Sequence, residues 1–334
     1  MTKENVLLVG SGGVGTMAAY ALEYSHKASV TSVLRSDYMK VLETGFTIES
    51  CDYGHIEGFR TTHVVNSVEK AMQLGPYNYV VVTTKNIPDV TDMTEVISEA
   101  ITDETVIVLI QNGIGIERDF FQRFPRNVVL SGVSFIQSIN RNCVISHTSK
   151  DFLKVGYFYN KNLERDFQEK VCKRFIEVYG NDFIDCHYDS NVKFSRWRKL
   201  VYNACLNPVC ALTGVDSGRL ELFGGTDGII RGMMREVIEV AKSDGVDLPE
   251  DVIEFMIRSD DPVYFKPSML VDIEKGNYME VEVICGNTVR IAKENNVPVP
   301  NLSLIYELLK VVQKKIKERK GALIVPKVRP VPHK

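Results

Sequence analysis

Short apolar runs alternate with helix-like stretches through the first half of the chain. Residues 6–9 (Val6, Leu7, Leu8, Val9) are uninterruptedly apolar and run into a glycine cluster, the pattern of a strand buried on both faces. Residues 15–24 read as an alanine-rich helix, and the β-branched stretch 28–34 as a second strand. A short helix is expected at 37–43. Stretches 46–50 and 59–65, with Gly54 and Gly58 between them, predict a hairpin-like insertion. Strand 79–83, helix 89–101 and strand 106–110 continue the alternation. Strand, helix, strand in this order predicts a parallel sheet wrapped by helices, a doubly wound α/β domain of Rossmann type.

The period changes after about residue 188. Stretches 189–206, 225–242, 249–258, 278–294 and 302–320 carry helical periodicity, and few alternating β-branched segments remain. The expected division is an N-terminal α/β domain over 1–187, a C-terminal all-helical domain over 188–320 and a basic, Pro-rich tail over 321–334 with little fixed structure. A chain of 334 residues is long for one hydrophobic core, which agrees with two domains. Nine Lys or Arg and one acid, Glu318, occupy 310–334. Positive charge near a helix C-terminus complements the dipole, so this reads as a solvated face rather than a site for an anionic partner.

Composition narrows the function classes. A net charge of −3 with 25% charged residues lacks the basic footprint of a nucleic-acid binder. No apolar run is long enough for a bilayer, and 6–9 is too short for a signal-peptide core, so a cytoplasmic protein without membrane partners is expected. The seven cysteines are scattered without a CxxC, and the six histidines show no ligand spacing. Reduced cysteines and no metal are the expectation.

The first chemical motif is Gly10-Ser11-Gly12-Gly13-Val14-Gly15, which fits G-x-G-x-x-G between a strand and a helix. The first glycine permits a tight turn, the second a close approach of backbone to a pyrophosphate, and the third close helix–strand packing. The phosphates would sit against the positive end of the helix. Dinucleotide binding is therefore expected. The second strand ends in Arg35 and Ser36 where an NAD enzyme usually carries an acid, about 20 residues on. A guanidinium there suits a 2′-phosphate, which favours NADP(H). The alternatives are a solvated Arg35 and Asp37 as an NAD-type acid. Lys85 and Asn112 follow two further strands, within Thr83-Thr84-Lys85 and Gln111-Asn112-Gly113. They read either as cofactor-rim residues or as turn chemistry.

A second motif lies in the helical half. Lys199, Asn203 and Asn207 are spaced by four within apolar and aromatic surroundings, which puts them on one helix face. Such a row needs partners or a ligand. Pro208 is expected to kink or end the helix near Asn207. With Trp197 the row reads W-x-K-x-x-x-N-x-x-x-N, and a Ser268-Met269-x-x-Asp272 segment leads to Glu280, twelve residues after the serine. With the glycine motif, Arg35, Lys85 and Gln111-Asn112-Gly113 in the same order, the chain resembles the ketopantoate reductase (2-dehydropantoate 2-reductase) family over almost its whole length.

The resemblance implies NADPH-dependent reduction of ketopantoate to pantoate. It makes Lys199 the general acid and Glu280 its supporting carboxylate. Asn203 and Asn207 would bind substrate hydroxyl and carbonyl groups, Ser268 its carboxylate, and Asn112 would orient substrate and nicotinamide. Lys85 would touch the cofactor. Taken alone, Ser268 reads as a helix cap after Pro267 and Glu280 as surface charge. An ammonium with donors around it does suit the negative charge that builds on a reduced carbonyl oxygen. The partner implied is a small 2-oxo acid, and a homodimer is allowed for. Cys210, the bulky run 132–137 and the tail beyond 320 depart from the family pattern. The first two leave the reaction type intact and open the alternative of another 2-oxo acid. A non-catalytic NADP(H)-binding sensor is the alternative of a different class.

Overall fold

The apolar runs of the first half become the centre of one large sheet. The computed structural model describes residues 3–330. Its strands are β1 (Glu4–Val9), β2 (Ala28–Val33), β3 (Phe46–Ser50), β4 (Gly54–Phe59), β5 (His63–Val65), β6 (Tyr79–Val82), β7 (Val106–Leu109), β8 (Val129–Ser134), β9 (Gln137–Arg141), β10 (Val144–Ser149), β11 (Phe152–Phe158) and β12 (Asp185–Tyr188). Six run parallel in the order β5-β2-β1-β6-β7-β8, the doubly wound order. β11 joins antiparallel to β8, and β12 joins parallel to β11. Val9 pairs with both Val33 and Val82, and Val82 with Leu109. The loops that follow these four strands therefore share one rim.

The sheet is covered by helices. Ala18, Ala21 and Leu22 of the Gly13–Tyr24 helix and Cys172, Phe175 and Val178 of the Arg165–Tyr179 helix share one buried cluster with Val6, Val81, Val108 and Leu130. Burial of a Leu- or Phe-sized side chain contributes about 1.5–3 kcal/mol, which is what holds these elements together. A second sheet, in the order β4-β3-β10-β9, packs Phe46, Ile48 and Ile145 against Met17, Leu34 and Val41. It brings β9 against the start of the Gly13–Tyr24 helix, where a Cβ on Gly13 would lie 2.2 Å from the Ser138 carbonyl oxygen.

Two expectations in this half are corrected. Stretch 59–65 is not one strand. Arg60 donates to the carbonyls of Val41, Gly58 and Leu42, and Thr62 donates to Glu23, which makes a corner. β4 on one side of it pairs with β3, and β5 on the other joins the large sheet. Nor is 89–101 one helix. Asp92 accepts from the Thr94 and Glu95 amides and starts a helix only at Met93. It ends at Val96, one residue before a 3₁₀ turn at Ser98–Ala100 in which the Ser98 hydroxyl donates to the Glu95 carbonyl.

The chain divides into compact units between Ser195 and Arg196, inside the Val192–Asn203 helix. The second unit is helical. Leu206–Thr213, Ser217–Leu222, Arg231–Ser243, Val252–Arg258, Ser268–Glu274, Asn287–Glu294 and Pro300–Arg319 follow in order. Wide π-type turns at Thr226–Ile230 and Glu282–Gly286 lead into two of these helices. Trp197, fully buried, donates its indole N–H to Asp244 at 2.9 Å and anchors the first helix. The helix breaks at Ala204 and Cys205, ahead of Pro208. Pro208 instead stands in the first turn of Leu206–Thr213, where its missing N–H costs no intrahelical bond. Residues 321–330 are exposed and irregular, and 331–334 of the tail lie outside the described residues. No described helix is long and apolar enough to cross a membrane.

Candidate functional site

The rim of the first unit collects the glycine motif and the strand ends. Gly10 takes φ +116°, and a Cβ there would meet the Thr84 nitrogen at 2.7 Å. A Cβ on Gly15 would lie 2.2 Å from the Gly10 carbonyl oxygen. Thr83 closes the other side by donating to the same carbonyl at 3.1 Å. A Cβ on Gly12, by contrast, would meet nothing within 4 Å. The backbone is thus tightly packed except at the one position a pyrophosphate would approach. Gly12 caps the Gly13–Tyr24 helix without a side-chain hydrogen bond, and no acid stands in its first turn, so the positive end of the helix faces that opening. These features fit a dinucleotide. Ser11 and Val14 complete the turn, and Thr16 closes it from behind by donating to the Ser11 carbonyl.

Arg35 and Ser36 follow β2 and are exposed. No ion pair holds Arg35 among the described residues. Asp37 heads the Tyr38–Thr44 helix. Its carboxylate accepts from Ser36 Oγ at 3.2 Å and from Asn140 Nδ2 at 2.8 Å. Asn140, on β9, donates its other amide proton to the Ser11 carbonyl, also at 2.8 Å. Gln111 donates to the Thr84 carbonyl at 2.6 Å and ties the loop after β7 to the loop after β6. Lys85 and the half-buried Asn112 follow these two residues on the same rim.

The polar row of the second unit stays together across the break in its helix. Asn207 Nδ2 donates to Asn203 Oδ1 at 3.1 Å. Asn207 Oδ1 accepts from Ser268 Oγ at 3.3 Å and from the Met269 amide at 3.1 Å, at the head of the Ser268–Glu274 helix. Both asparagines are buried, whereas Ser268 is exposed. Lys199, one turn before Asn203, is only partly accessible. Burial first, and the Arg196 guanidinium second, push its ammonium down to about 8 against the opposing pull of Glu280. Glu280 is itself 5% exposed. Its position is set through Met279, whose N–H donates to Gln313 Oε1 at 3.0 Å and whose carbonyl accepts from Gln313 Nε2 at 3.1 Å.

Arg196, Gln313 and Asn140 are not among the sequence-predicted residues. Arg196 stands three residues before Lys199, a spacing that puts both on one face, so the row could have been extended to it. Gln313 and Asn140 reach their partners across 34 and 129 residues, and nothing in the pattern signals either.

One further cluster joins residues far apart in sequence. Cys51, Asp52 and His147 bring a thiol, a carboxylate and an imidazole within 4.8 Å of one another. Ser50 Oγ accepts from the Asp52 and Tyr53 amides, so its own proton goes to His147 Nδ1. That leaves Nε2 protonated, donating to the Ser149 carbonyl at 2.7 Å. The imidazole is a structural bridge whose nitrogens are both engaged, and the cluster offers no ready metal ligand from it. All seven cysteines are free thiols.

Comparison with known proteins covers both units. Residues 6–160 match the family model for ketopantoate reductase PanE/ApbA, and residues 191–313 match the model for its C-terminal domain. An uncharacterized protein of Saccharomyces cerevisiae is 40% identical, over 95% of this chain and 96% of its own length. The crystal structure of a 2-dehydropantoate 2-reductase from Methylococcus capsulatus superimposes with a TM-score of 0.78 at 32% identity, covering 93% of this chain and 97% of that one. A D-mandelate dehydrogenase, solved with NADH and anilino(oxo)acetate, gives a TM-score of 0.81 at 18% identity over 94% and 99% of the two chains, a likeness of fold.

Proposed function

This chain belongs to the ketopantoate reductase family, NAD(P)-dependent oxidoreductases acting on CH–OH, and on that footing we propose that it reduces ketopantoate (2-dehydropantoate) to pantoate with NADPH, on the way to pantothenate and coenzyme A. The observation that carries the reading is Lys199: a largely buried ammonium whose acidity burial and Arg196 bring to about 8, with Glu280 as its counter-charge. A proton donor whose acidity lies near working pH is what carbonyl reduction needs. A protein that only sensed cofactor would have no use for one.

A bound nicotinamide supplies the hydride that adds to the carbonyl carbon. Lys199 Nζ gives its proton to the carbonyl oxygen, so that C=O becomes CH–OH, and it is reprotonated from solvent between turnovers. Glu280 keeps Lys199 charged until that transfer. Asn203 and Ser268 contact substrate polar groups, Ser268 at the carboxylate. Asn207 fixes the Met269 amide and holds the Ser268 hydroxyl until substrate arrives, when the hydroxyl's one proton turns from Asn207 to the carboxylate. Gly10, Ser11, Gly12, Gly13, Val14 and Gly15 cradle the pyrophosphate, Arg35 takes the 2′-phosphate, and Lys85 and Asn112 serve the nicotinamide side of the rim.

A second reading keeps the chemistry and changes the acid. Phe135 stands just past β8, its ring 5.5 Å from that of Phe152, which gives the run 132–137 more bulk than the family pattern. The test is initial-rate loss of nicotinamide absorbance with purified protein, NADPH or NADH, and a panel of 2-oxo acids. Turnover with ketopantoate above all others and with NADPH over NADH is the expected result. Turnover with another acid alone moves the function within the family, and tight NADPH binding with no turnover on any acid overturns the enzyme reading.

A further inference from the structure

The adenosine end of the rim contains a strut that links two strand ends. Asn140 stands on β9 in the second sheet, yet its side chain reaches the large sheet. Its Oδ1 accepts from the Cys143 amide at 3.0 Å. Its two Nδ2 protons go to the Ser11 carbonyl and to Asp37 Oδ2, each at 2.8 Å. One acceptor engaged by an N–H and two donors engaged by oxygens leave no ambiguity in how the amide is turned. Ser11 follows β1 and Asp37 follows β2, the neighbouring strands whose carboxyl ends hold the adenosine ribose in a doubly wound sheet.

Asp37 is the chemical rival of Arg35 at that place. A carboxylate there accepts from a ribose 2′-OH and favours NADH, and it repels a 2′-phosphate. It could also pair with Arg35 and spend the guanidinium. Here Asn140 on one oxygen and Ser36 on the other satisfy it, and it turns toward β9. We propose that Asn140 is a specificity-determining residue for the cofactor: by holding Asp37 it leaves Arg35 available to the 2′-phosphate. The device resides in a strand of the accessory sheet rather than in either loop that meets the ribose. It rests on the NADPH reading above.

The experiment is a double-mutant cycle on cofactor binding, read as the ratio of NADH to NADPH dissociation constants from nicotinamide fluorescence. Asn140→Ala releases Asp37 and lowers the preference for NADPH by about tenfold or more, while Asp37→Asn alone changes it little. Combining Asn140→Ala with Asp37→Asn restores the native ratio, because the released carboxylate is gone. Asn140→Asp, which keeps the acceptor for the Cys143 amide and removes both donors, lowers the ratio as well and serves where Asn140→Ala disturbs the 140–143 turn. Equal weakening of both cofactors, or no rescue in the double variant, overturns the proposal while the NADPH reading stands. A native protein that prefers NADH overturns the NADPH reading itself.

Discussion

Lys199 holds its charge where burial resists it, and Glu280 is the group that offsets the cost. With its acidity near 8, the protonated fraction falls as pH rises through that value. Reduction needs the protonated form, so kcat for the 2-oxo acid falls above about pH 8, whereas oxidation of the 2-hydroxy acid needs the neutral amine and rises over the same range. Glu280→Gln removes the group that raises Lys199, and the alkaline limb moves to lower pH. A flat profile to pH 9.5 in the native protein, measured with saturating cofactor, would sink the assignment of Lys199 as proton donor. Lys199→Ala lowers kcat by about 10²–10⁴ while NADPH binding survives. At the other end of the cofactor, Arg35→Ala weakens NADPH much more than NADH, because only NADPH carries the charge the guanidinium meets. Titration of both cofactors decides this, and equal losses would remove Arg35 from the 2′-phosphate.

Elements bring these residues together with different degrees of local instruction. The Val6–Val9 run, the glycine motif and the helical stretches after residue 188 are legible because a strand buried on both faces, a glycine turn and a 3.6-residue period each write themselves in adjacent positions. Of the accessory sheet only β3 and its hairpin-like turn back toward β4 are legible, because β10 pairs with β3 across about a hundred residues and neither carries a run that names its partner. The corner at Arg60–Thr62 and the late helix start at Met93 are made by side-chain hydrogen bonds, which a hydrophobic pattern does not record. Gln313 belongs to this class. From the Pro300–Arg319 helix it closes two hydrogen bonds on the Met279 backbone, next to Glu280. Gln313→Leu keeps the volume and strands a buried N–H and C=O, at about 1–3 kcal/mol each. The expected outcome is a lower melting temperature together with a fall in kcat and a shifted alkaline limb, at unchanged NADPH affinity. A drop in stability with native kcat and pH profile would make Gln313 a packing residue only.

At the scale of the whole molecule, stability carries a pH dependence set far from the reacting groups. Asp151 precedes β11 and is 2% exposed. Burial, then the charge of Asp52, push its carboxyl up to about 7. The Asp151 amide donates to Asp52 at 3.0 Å, and the Asp151 carbonyl accepts from the Asp185 amide, so the backbone is fixed and the carboxyl has no easy retreat to water. The sign follows from proton counting. Between the ordinary carboxylate value and about 7 the folded state holds a proton that the unfolded chain has released, so the stability gained from the neutral acid is complete at low pH and is lost as pH rises through 7. Replacing the acid with a neutral isostere removes that loss. Asp151→Asn is therefore more stable than the native protein at pH 8, by up to about 4 kcal/mol, and indistinguishable from it only near about pH 3, below the ordinary carboxylate value, where the acid is uncharged in the folded and the unfolded chain alike. Thermal denaturation at the two pH values measures the difference directly. A gain of equal size at both would assign it to packing, and a loss at pH 8 would mean that the charged carboxylate holds the β10–β11 connection in place.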